Sequence, residues 1–145
     1  MTRILVLVAE SSRARVYLAE TPSSPLNELE DRVNPEGRLH EGDLVSDAPG
    51  SDGGASGQGR HVMNSKTSAH EAVQAAFAKD LVAVLDQKRT ANEFDQLVLV
   101  APPAFLGALR GAMSRELSSM VAEEVGKNLV EHSTNDVRTH LSTLH

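Results

Sequence analysis

Two uninterrupted apolar runs place the tightest limits on how this chain folds. The first is ILVLVA at residues 4–9, and the second is LVLVA at residues 97–101. Neither run has a polar side, so neither suits a strand with one face in water, and both contain several β-branched residues. Both runs are therefore predicted to be strands that are buried on both faces, the first of them central in an α/β sheet.

Three weaker patterns predict the remaining strands. ARVYLAE, residues 14–20, alternates with Val16 and Leu18 on one side, which suits a strand that pairs antiparallel with the first across a tight turn. LNELEDRV, residues 26–33, alternates less regularly and is predicted to be an edge strand. A last strand is expected at residues 121–125.

Three segments have helical periodicity. The first is predicted to begin at Ser68, which has capping-box spacing with Glu71. The second covers residues 104–120, after two prolines that end the preceding strand. The third follows Ser133, a residue type that caps helices.

The predicted element order is βββαβαβα, which is an α/β chain with a mixed five-stranded sheet and three helices. With 145 residues, the chain is long enough for one domain, residues 1–145, and too short for two. Three consecutive antiparallel strands followed by alternating helix and strand is the order of ribonuclease-H-like folds. A ribonuclease-H-like fold is therefore expected, and a fold by itself carries no function.

Residues 34–67 show no periodicity and hold seven of the ten glycines of the chain. A loop of this length inside a compact domain is either functional, mobile, or a sign that short elements have been missed. Its glycine-richest part, GSDGGASGQGRH at residues 50–61, has almost nothing that would build a core. We predict a long Gly-rich loop at 34–67, and the alternative reading is a flexible linker without a role of its own.

The chain lacks the residues that several kinds of catalytic site require. The chain has no cysteine, which excludes disulfides and thiolate metal sites. Its six histidines lack the paired spacing of a zinc site, and the fourth predicted strand ends without the carboxylate that a two-metal nuclease needs. Lys66 and Thr67 lack the preceding glycine of a phosphate-binding loop. No metal, no cofactor and no independent enzymatic activity are expected.

The charge balance limits the partners. Twenty acidic against fourteen basic residues give a net charge of −6, which argues against non-specific coating of nucleic acid. The net charge does not exclude a local basic patch. The first apolar run is too short for a signal-peptide core or a membrane span, so a cytoplasmic protein without a membrane partner is expected.

The chemistry that the Gly-rich loop offers comes from its backbone and from one amide side chain. Glycines let backbone amides approach a reacting centre closely. A glutamine can orient a water molecule through its carbonyl and its amide. The candidate binding loop consists of Gly53, Gly54, Gly57, Gln58, Gly59, Arg60 and His61.

The sequence resembles the bacterial family of proteins required for attachment to host cells. The resemblance rests on VLVAESSRARVYLAE, NPEGRLHEGDLVSDAPG, GQGRHVMNSKTSAHE, FAKDLVAVLDQ, FDQLVLVAPPAFLGALRGAMS and VGKNLV, which follow one another through essentially the whole chain. Family members more often carry Asp-Gly where this chain has Glu10-Ser11. The name implies a role in adhesion to a host, which for a chain without a visible export signal would be indirect or would need an unrecognised secretion route.

That family is similar in architecture to the middle domain of archaeal and eukaryotic class-1 peptide-chain release factors. There, a Gly-Gly-Gln loop enters the ribosomal peptidyl-transferase centre, and the glutamine positions the water that hydrolyses peptidyl-tRNA. The corresponding loop here has Gly53-Gly54 and Gly57-Gln58, so that three residues, Ala55, Ser56 and Gly57, separate the first glycine pair from Gln58. The resemblance implies Gln58 as the catalytic candidate, and Arg60 and His61 as contacts to RNA phosphate.

Three functions follow from these observations. The leading one is a ribosome- or RNA-engaging domain that acts through the Gly-rich loop and at most assists hydrolysis of peptidyl-tRNA on the ribosome, with the ribosome or a tRNA as partner. Further candidate RNA contacts are Arg13, Arg15 and Lys66. The second is a protein-interaction module with an indirect role in attachment, and the third is a degenerate metal-dependent hydrolase.

Overall fold

The computed structural model describes residues 2–37 and 59–145, of which residues 59–68 are described by their backbone alone. Five strands and five helices follow one another along these residues. They are β1 (Ile4–Glu10), β2 (Arg13–Ala19), β3 (Asn27–Val33), α1 (35–37), α2 (Gly59–Thr90), β4 (Gln96–Val100), α3 (Pro103–Ala112), α4 (Arg115–Ser118), β5 (Val121–Val125) and α5 (Thr134–Thr139).

The five strands form one mixed sheet in the order β3-β2-β1-β4-β5. β1 pairs antiparallel with β2 and parallel with β4, β2 pairs antiparallel with β3, and β4 pairs parallel with β5. The two apolar runs are thus neighbouring strands near the centre of the sheet, and every residue from Ile4 to Ala9 is at most 1% exposed. The predicted five-stranded mixed sheet is confirmed, and the ribonuclease-H-like classification stays a prediction.

Each face of the sheet is covered by a separate apolar cluster. On what we call the helical face, Leu5, Leu7 and Ala9 pack against side chains of α2, α3 and α4. On the opposite side, the tail face, Ile4, Val6 and Val8 pack against Leu26 and against residues between Leu129 and Leu144. This alternation follows from the period-two pleat of β1, and it explains why that strand needs no polar residue.

The helix count differs from the three that periodicity predicted. The expected helix over 104–120 is two helices, because Ser114 adopts an extended backbone (φ −72°, ψ 165°) and its hydroxyl accepts a hydrogen bond from the Leu117 amide, which starts α4. Ser and Thr hydroxyls compete with the helical hydrogen-bond ladder in this way. The other additional helix is α1, directly after Asn34.

Helix α2 begins nine residues before the predicted start, at Gly59 rather than Ser68. The capping-box interpretation of Ser68 is therefore wrong, because no glycine or proline interrupts residues 60–67 and a helix can run through them. At the two ends of the loop predicted at 34–67, residues 35–37 and 59–67 are instead helical. Residues 38–58 lie outside the described part of the chain.

The end of α2 has an identifiable cause. Asn92 has a positive φ of 58°, the left-handed conformation that stops a helix just past its last turn. The Glu93 amide donates to the Lys88 carbonyl at 2.9 Å, which satisfies one of the carbonyls that the helix leaves free. The chain then reverses and enters β4 beside β1.

Candidate functional site

The carboxyl end of the parallel strands is the edge of the sheet at which the Gly-rich segment is attached. β3 is antiparallel to β2, which is antiparallel to β1, so β3 ends at this edge together with β1, β4 and β5. Residues 38–58 connect Gly37, shortly after β3, to Gly59 at the start of α2. In open α/β sheets, ligands bind outside the carboxyl ends of the strands. The position of the segment is therefore the usual one for a binding site.

A hydrogen-bonded turn fixes the point from which the segment departs. The Glu10 carboxylate accepts from the backbone amide and, at 2.6 Å, from the hydroxyl of Ser12. The Asn34 side-chain amide donates to the Ser11 carbonyl at 3.0 Å, and its backbone amide donates to the Ser12 carbonyl at 2.8 Å. The β1–β2 turn and the end of β3 are thereby held together, which gives the segment a rigid base.

Gly37 passes so close to this turn that no other residue fits without movement. A Cβ placed on Gly37 would lie 2.2 Å from the Ser11 carbonyl oxygen, well inside van der Waals contact. The sequence pattern placed this glycine in the loop and did not indicate its packing role. The signal that was present is its place directly after Asn-Pro-Glu, which is typical of a tight turn.

An open apolar groove of about 590 Å³ lies between α2 and α3. Along α2, it begins at Ala72, before Phe77, the first residue of this helix in the core. All its lining residues except one lysine are alanine or glycine. They are Ala72, Ala75, Ala76, Lys79, Ala108, Gly111 and Ala112. This groove was not predicted from the sequence, although both helices carry small residues three and four positions apart.

Arg13, one of the predicted RNA contacts, is engaged by two carboxylates of its own chain. Its guanidinium donates to both oxygens of Asp31, at 2.7 and 3.0 Å, and to Glu131 at 3.3 Å. The hydrogen bond to Asp31 raises the pKa of Arg13, and the same contact lowers the pKa of Asp31. A phosphate that approached Arg13 would have to displace a bidentate partner.

Arg15, the second such residue, is held even more completely. It donates to both oxygens of Glu28, at 3.0 and 3.2 Å, and to the carbonyls of Val130 and His132 at 3.2 Å each. Its guanidinium also lies 5.4 Å from the centre of the Tyr17 ring. Both arginines therefore connect β2 to β3 and to residues 130–132, and their charge is compensated within the protein.

The remaining predicted residues are placed only in part. Gly53, Gly54, Gly57 and Gln58 lie outside the described residues. The backbones of Gly59, Arg60, His61 and Lys66 belong to the first turns of α2, and their side chains are not described. Whether these residues form one binding surface stays a prediction.

Two other classes of site are absent from the described part of the chain. No group of three or more histidine, aspartate or glutamate side chains there is arranged to hold a metal ion. His132 and Asp136 form a pair at 2.6 Å, and His140 packs edge-on to His132, but these side chains are not arranged to hold a metal ion. Over the same residues, no helix is both long and apolar enough to cross a bilayer.

Comparisons with known proteins give one family match. The family model described as "Protein required for attachment to host cells" matches residues 5–141, which is nearly the whole chain. An uncharacterized protein of Rickettsia prowazekii (strain Madrid E), RP470, is 31% identical over 62 residues, which is 41% of this chain and 41% of that protein.

A solved structure gives a more distant match. The crystal structure of the type II variant of the Aquifex aeolicus Ppx/GppA phosphatase aligns with 86% of this chain and 36% of its own, at 14% identity and a TM-score of 0.40. A likeness of this level carries no argument about fold or function. Both matched proteins are covered over well under two thirds of their length.

Proposed function

The chain belongs to the family of proteins required for attachment to host cells, and from this membership we propose that it is a non-enzymatic domain that binds another protein. The proposed surface is the groove between α2 and α3, together with the Gly-rich segment that precedes α2. The proposed occupant is an amphipathic helix of a partner protein, which would lie between α2 and α3 as a third helix.

The observation that carries this proposal is the apolar lining of the groove. Ala72, Ala75 and Ala76 have exposed side chains, because α2 packs against the core only from Phe77 onward. Small residues on both walls allow another helix to approach closely. Lys79 is the charged residue of the lining, so an acidic residue at the edge of the partner helix would complement it.

The described charges favour a protein partner over RNA. RNA binding needs cations that are free to meet phosphates. Arg13 and Arg15, the two described candidates for this role, have their charges compensated by Asp31, Glu131 and Glu28. The net charge of −6 adds repulsion.

The ribosome-engaging function is the second candidate. Its support is the sequence resemblance of the Gly-rich segment to a release-factor loop, with Gln58 as the residue that would position water and with Gly53, Gly54, Gly57, Gly59, Arg60, His61 and Lys66 around it. The third, a degenerate metal-dependent hydrolase, gains no support from the described carboxylates.

An attachment assay with matched variants tests the proposal. Ala76→Glu places a charge in the groove, and Ala83→Glu places the same charge at an exposed position of the same helix, outside the groove. In the organism that produces the protein, Ala76→Glu is expected to reduce attachment to host cells and Ala83→Glu to leave it unchanged. Equal effects of the two variants would contradict the proposal.

A ribosome sedimentation experiment separates the second candidate from the first. Ribosome engagement predicts co-sedimentation that is lost when Gly57, Gln58 and Gly59 are replaced and that is retained in Ala76→Glu. Protein binding through the groove predicts no co-sedimentation for any of these variants, even at low salt, where electrostatic binding to RNA is strongest.

A further inference from the structure

β3 is an edge strand with an unusual composition. β3 is the last strand of the sheet, and no described residue pairs with its outer side. It carries the two large apolar side chains that are most exposed in the described part of the chain, Leu29 at 43% and Val33 at 51%. An edge of this kind presents free backbone amides and carbonyls to another strand.

Edge strands are commonly protected from pairing by uncompensated charge, and β3 lacks that protection. Each of its carboxylates has a cation of the same chain as partner: Glu28 meets Arg15 at 3.0 Å, Glu30 meets Arg32 at 2.8 Å, and Asp31 meets Arg13 at 2.7 Å. A strand that approaches from outside therefore meets a nearly neutral edge. The one irregularity in the pairing of β3 with β2 falls at Leu29, which has no partner residue on β2, and the register from Glu30 to Val33 is regular.

From this pattern we infer that β3 pairs with β3 of a second copy, antiparallel and centred on Asp31, so that two sheets join into one of ten strands. In this register, Leu29 of one copy lies opposite Val33 of the other, and Val33 opposite Leu29. Glu30 lies opposite Arg32, and Arg32 opposite Glu30. Apolar and oppositely charged cross-strand pairs both stabilise a sheet. A two-fold axis through the centre makes each contact occur twice.

Neighbouring registers are less favourable. Centring the pair on Glu30 places Leu29 opposite Asp31 and two glutamates opposite each other. Centring it on Arg32 places two arginines opposite each other and Val33 opposite Asp31. In the register centred on Asp31, the one like-charged pair is formed by the two Asp31 side chains, each of which is already neutralised by a bidentate arginine.

The dimer is expected to be weak and concentration-dependent. Pairing of a single short strand buries less surface than a stable protein–protein interface does, which is about 1,200–2,000 Å². Sedimentation equilibrium of the full chain over a range of concentrations measures it. The wild-type protein is expected to dimerise reversibly, and Val33→Lys, which replaces an exposed apolar pair with a charge, is expected to weaken the dimer about tenfold or more.

Charge reversal tests the register itself. Glu30→Arg alone places two arginines opposite each other at both ends of the pair, and Arg32→Glu alone places two glutamates there, so each variant is expected to be monomeric. An equimolar mixture of the two restores both opposite-charge pairs and is expected to form a heterodimer. Because both positions are at least partly exposed, each variant is expected to melt close to the wild-type temperature, which circular dichroism checks.

Three outcomes would overturn the inference. One is a wild-type protein that stays monomeric over the whole concentration range. Another is a dimer that Val33→Lys leaves unchanged, which would mean that the interface lies elsewhere. The third is a mixture of the two charge variants that stays monomeric while the wild type dimerises, which would rule out the register centred on Asp31.

Discussion

The two faces of the sheet bury similar sets of β1 side chains by different means. The helical face is covered by α2, α3 and α4, whose apolar residues recur at helical spacing, such as Phe77, Leu81 and Leu85. The tail face is covered by residues 129–144, of which only Thr134–Thr139 are helical. A helix satisfies its own backbone groups, whereas an irregular segment must find partners for them elsewhere.

Polar side chains provide those partners on the tail face. Arg138 donates to three backbone carbonyls, of Ser24 at 2.6 Å, Pro22 at 2.9 Å and His145 at 3.0 Å. The Glu123 carboxylate accepts from the backbone amides of Ser142 and Thr143 and from the Thr143 hydroxyl. The helical face thus depends mainly on packing, and the tail face depends on packing together with a few charged side chains.

Truncating one leucine on each face tests that comparison with the largest expected effect. Leu85 is a residue of α2 that is fully buried in the cluster of the helical face, and Leu141 is 5% exposed in the irregular tail. Leu85→Ala is expected to lower the free energy of unfolding by about 3–5 kcal/mol, because rigid helices cannot close the cavity. Leu141→Ala is expected to cost less, about 2–3 kcal/mol, because the tail can relax into the space. Urea unfolding measures both.

The comparison between the faces would fail if the two truncations had equal costs. It would also fail if Leu141→Ala were the more destabilising of the two. In either case, the tail would be as rigid as the helices, and its irregular backbone would not matter for stability.

Removing the arginine of the tail face is the next largest effect. Arg138→Ala leaves the carbonyls of Pro22, Ser24 and His145 without their charged donor, so it is expected to cost about 1.5–3 kcal/mol. Arg138→Lys keeps the charge but cannot reach all three oxygens, and its cost is expected to be intermediate. Urea unfolding measures the stability, and amide exchange of His145, which donates to Pro22, reports whether the tail has detached.

An arginine on the other side of the sheet is the control for this loss. Arg110 forms an exposed ion pair with Glu124 and touches no backbone carbonyl through its side chain in the described residues. Arg110→Ala is expected to leave stability almost unchanged. A comparable loss in both variants would mean that removal of positive charge, and not the carbonyl contacts, accounts for the effect at Arg138.

Acid should loosen the tail face through Glu123. Burial raises the pKa of this carboxyl, but the hydrogen bonds from Ser142 and Thr143 outweigh burial, so the net pKa is lowered from 4.5. A lowered folded-state pKa means that the contribution of Glu123 to stability is complete above pH 4.5 and is lost as the pH falls through the folded-state value. NMR titration of the Ser142 and Thr143 amides is expected to follow this protonation.

Glu123→Gln isolates this carboxylate from the other acids. The variant keeps an acceptor oxygen but does not titrate, so the acid-induced shift of the Ser142 and Thr143 amides should disappear. The stability of the variant above pH 4.5 should be lower than that of the wild type, and the two curves should converge in acid. Curves that stay parallel would show that Glu123 does not supply the pH dependence of the tail.

Local patterns were enough to predict the sheet but not the contacts of the tail. Buried strands such as β1 can be recognised in the sequence, because a strand that is buried on both faces is a continuous run of apolar residues. The apolar periodicity predicted one helix over residues 104–120, but the chain leaves the helix at Ser114. Its hydroxyl accepts a hydrogen bond from the Leu117 amide and so competes with the helical hydrogen bonds. Arg138 and its carbonyl partners at Ser24 and Pro22 are 114 and 116 residues apart, so no local pattern reveals them.

The candidate binding loop was predicted from its composition, and most of its residues lie outside the described part of the chain. The lack of periodicity after Asn34 predicted a Gly-rich segment between β3 and the long helix, but it did not predict at which edge of the sheet this segment attaches. Arg13 and Arg15 were predicted as RNA contacts without knowledge of their partners, which lie on a neighbouring strand and in residues 130–132. Part of this was predictable, since an acid-rich β3 beside β2 places carboxylates next to those arginines.

Two glycines of α3 provide the smallest expected effect and connect the helical face to the groove. A Cβ at Gly107 or at Gly111 meets no atom within 4 Å, so alanine fits at both positions. Each substitution is expected to stabilise the protein by about 0.5–1 kcal/mol, less at Gly111 because it lies near the end of the helix. Thermal unfolding measures this gain.

Only Gly111 lines the groove, so Gly111→Ala should also change binding of a partner helix while Gly107→Ala leaves it unaltered. Equal binding by both variants would confine the role of these glycines to the helix itself.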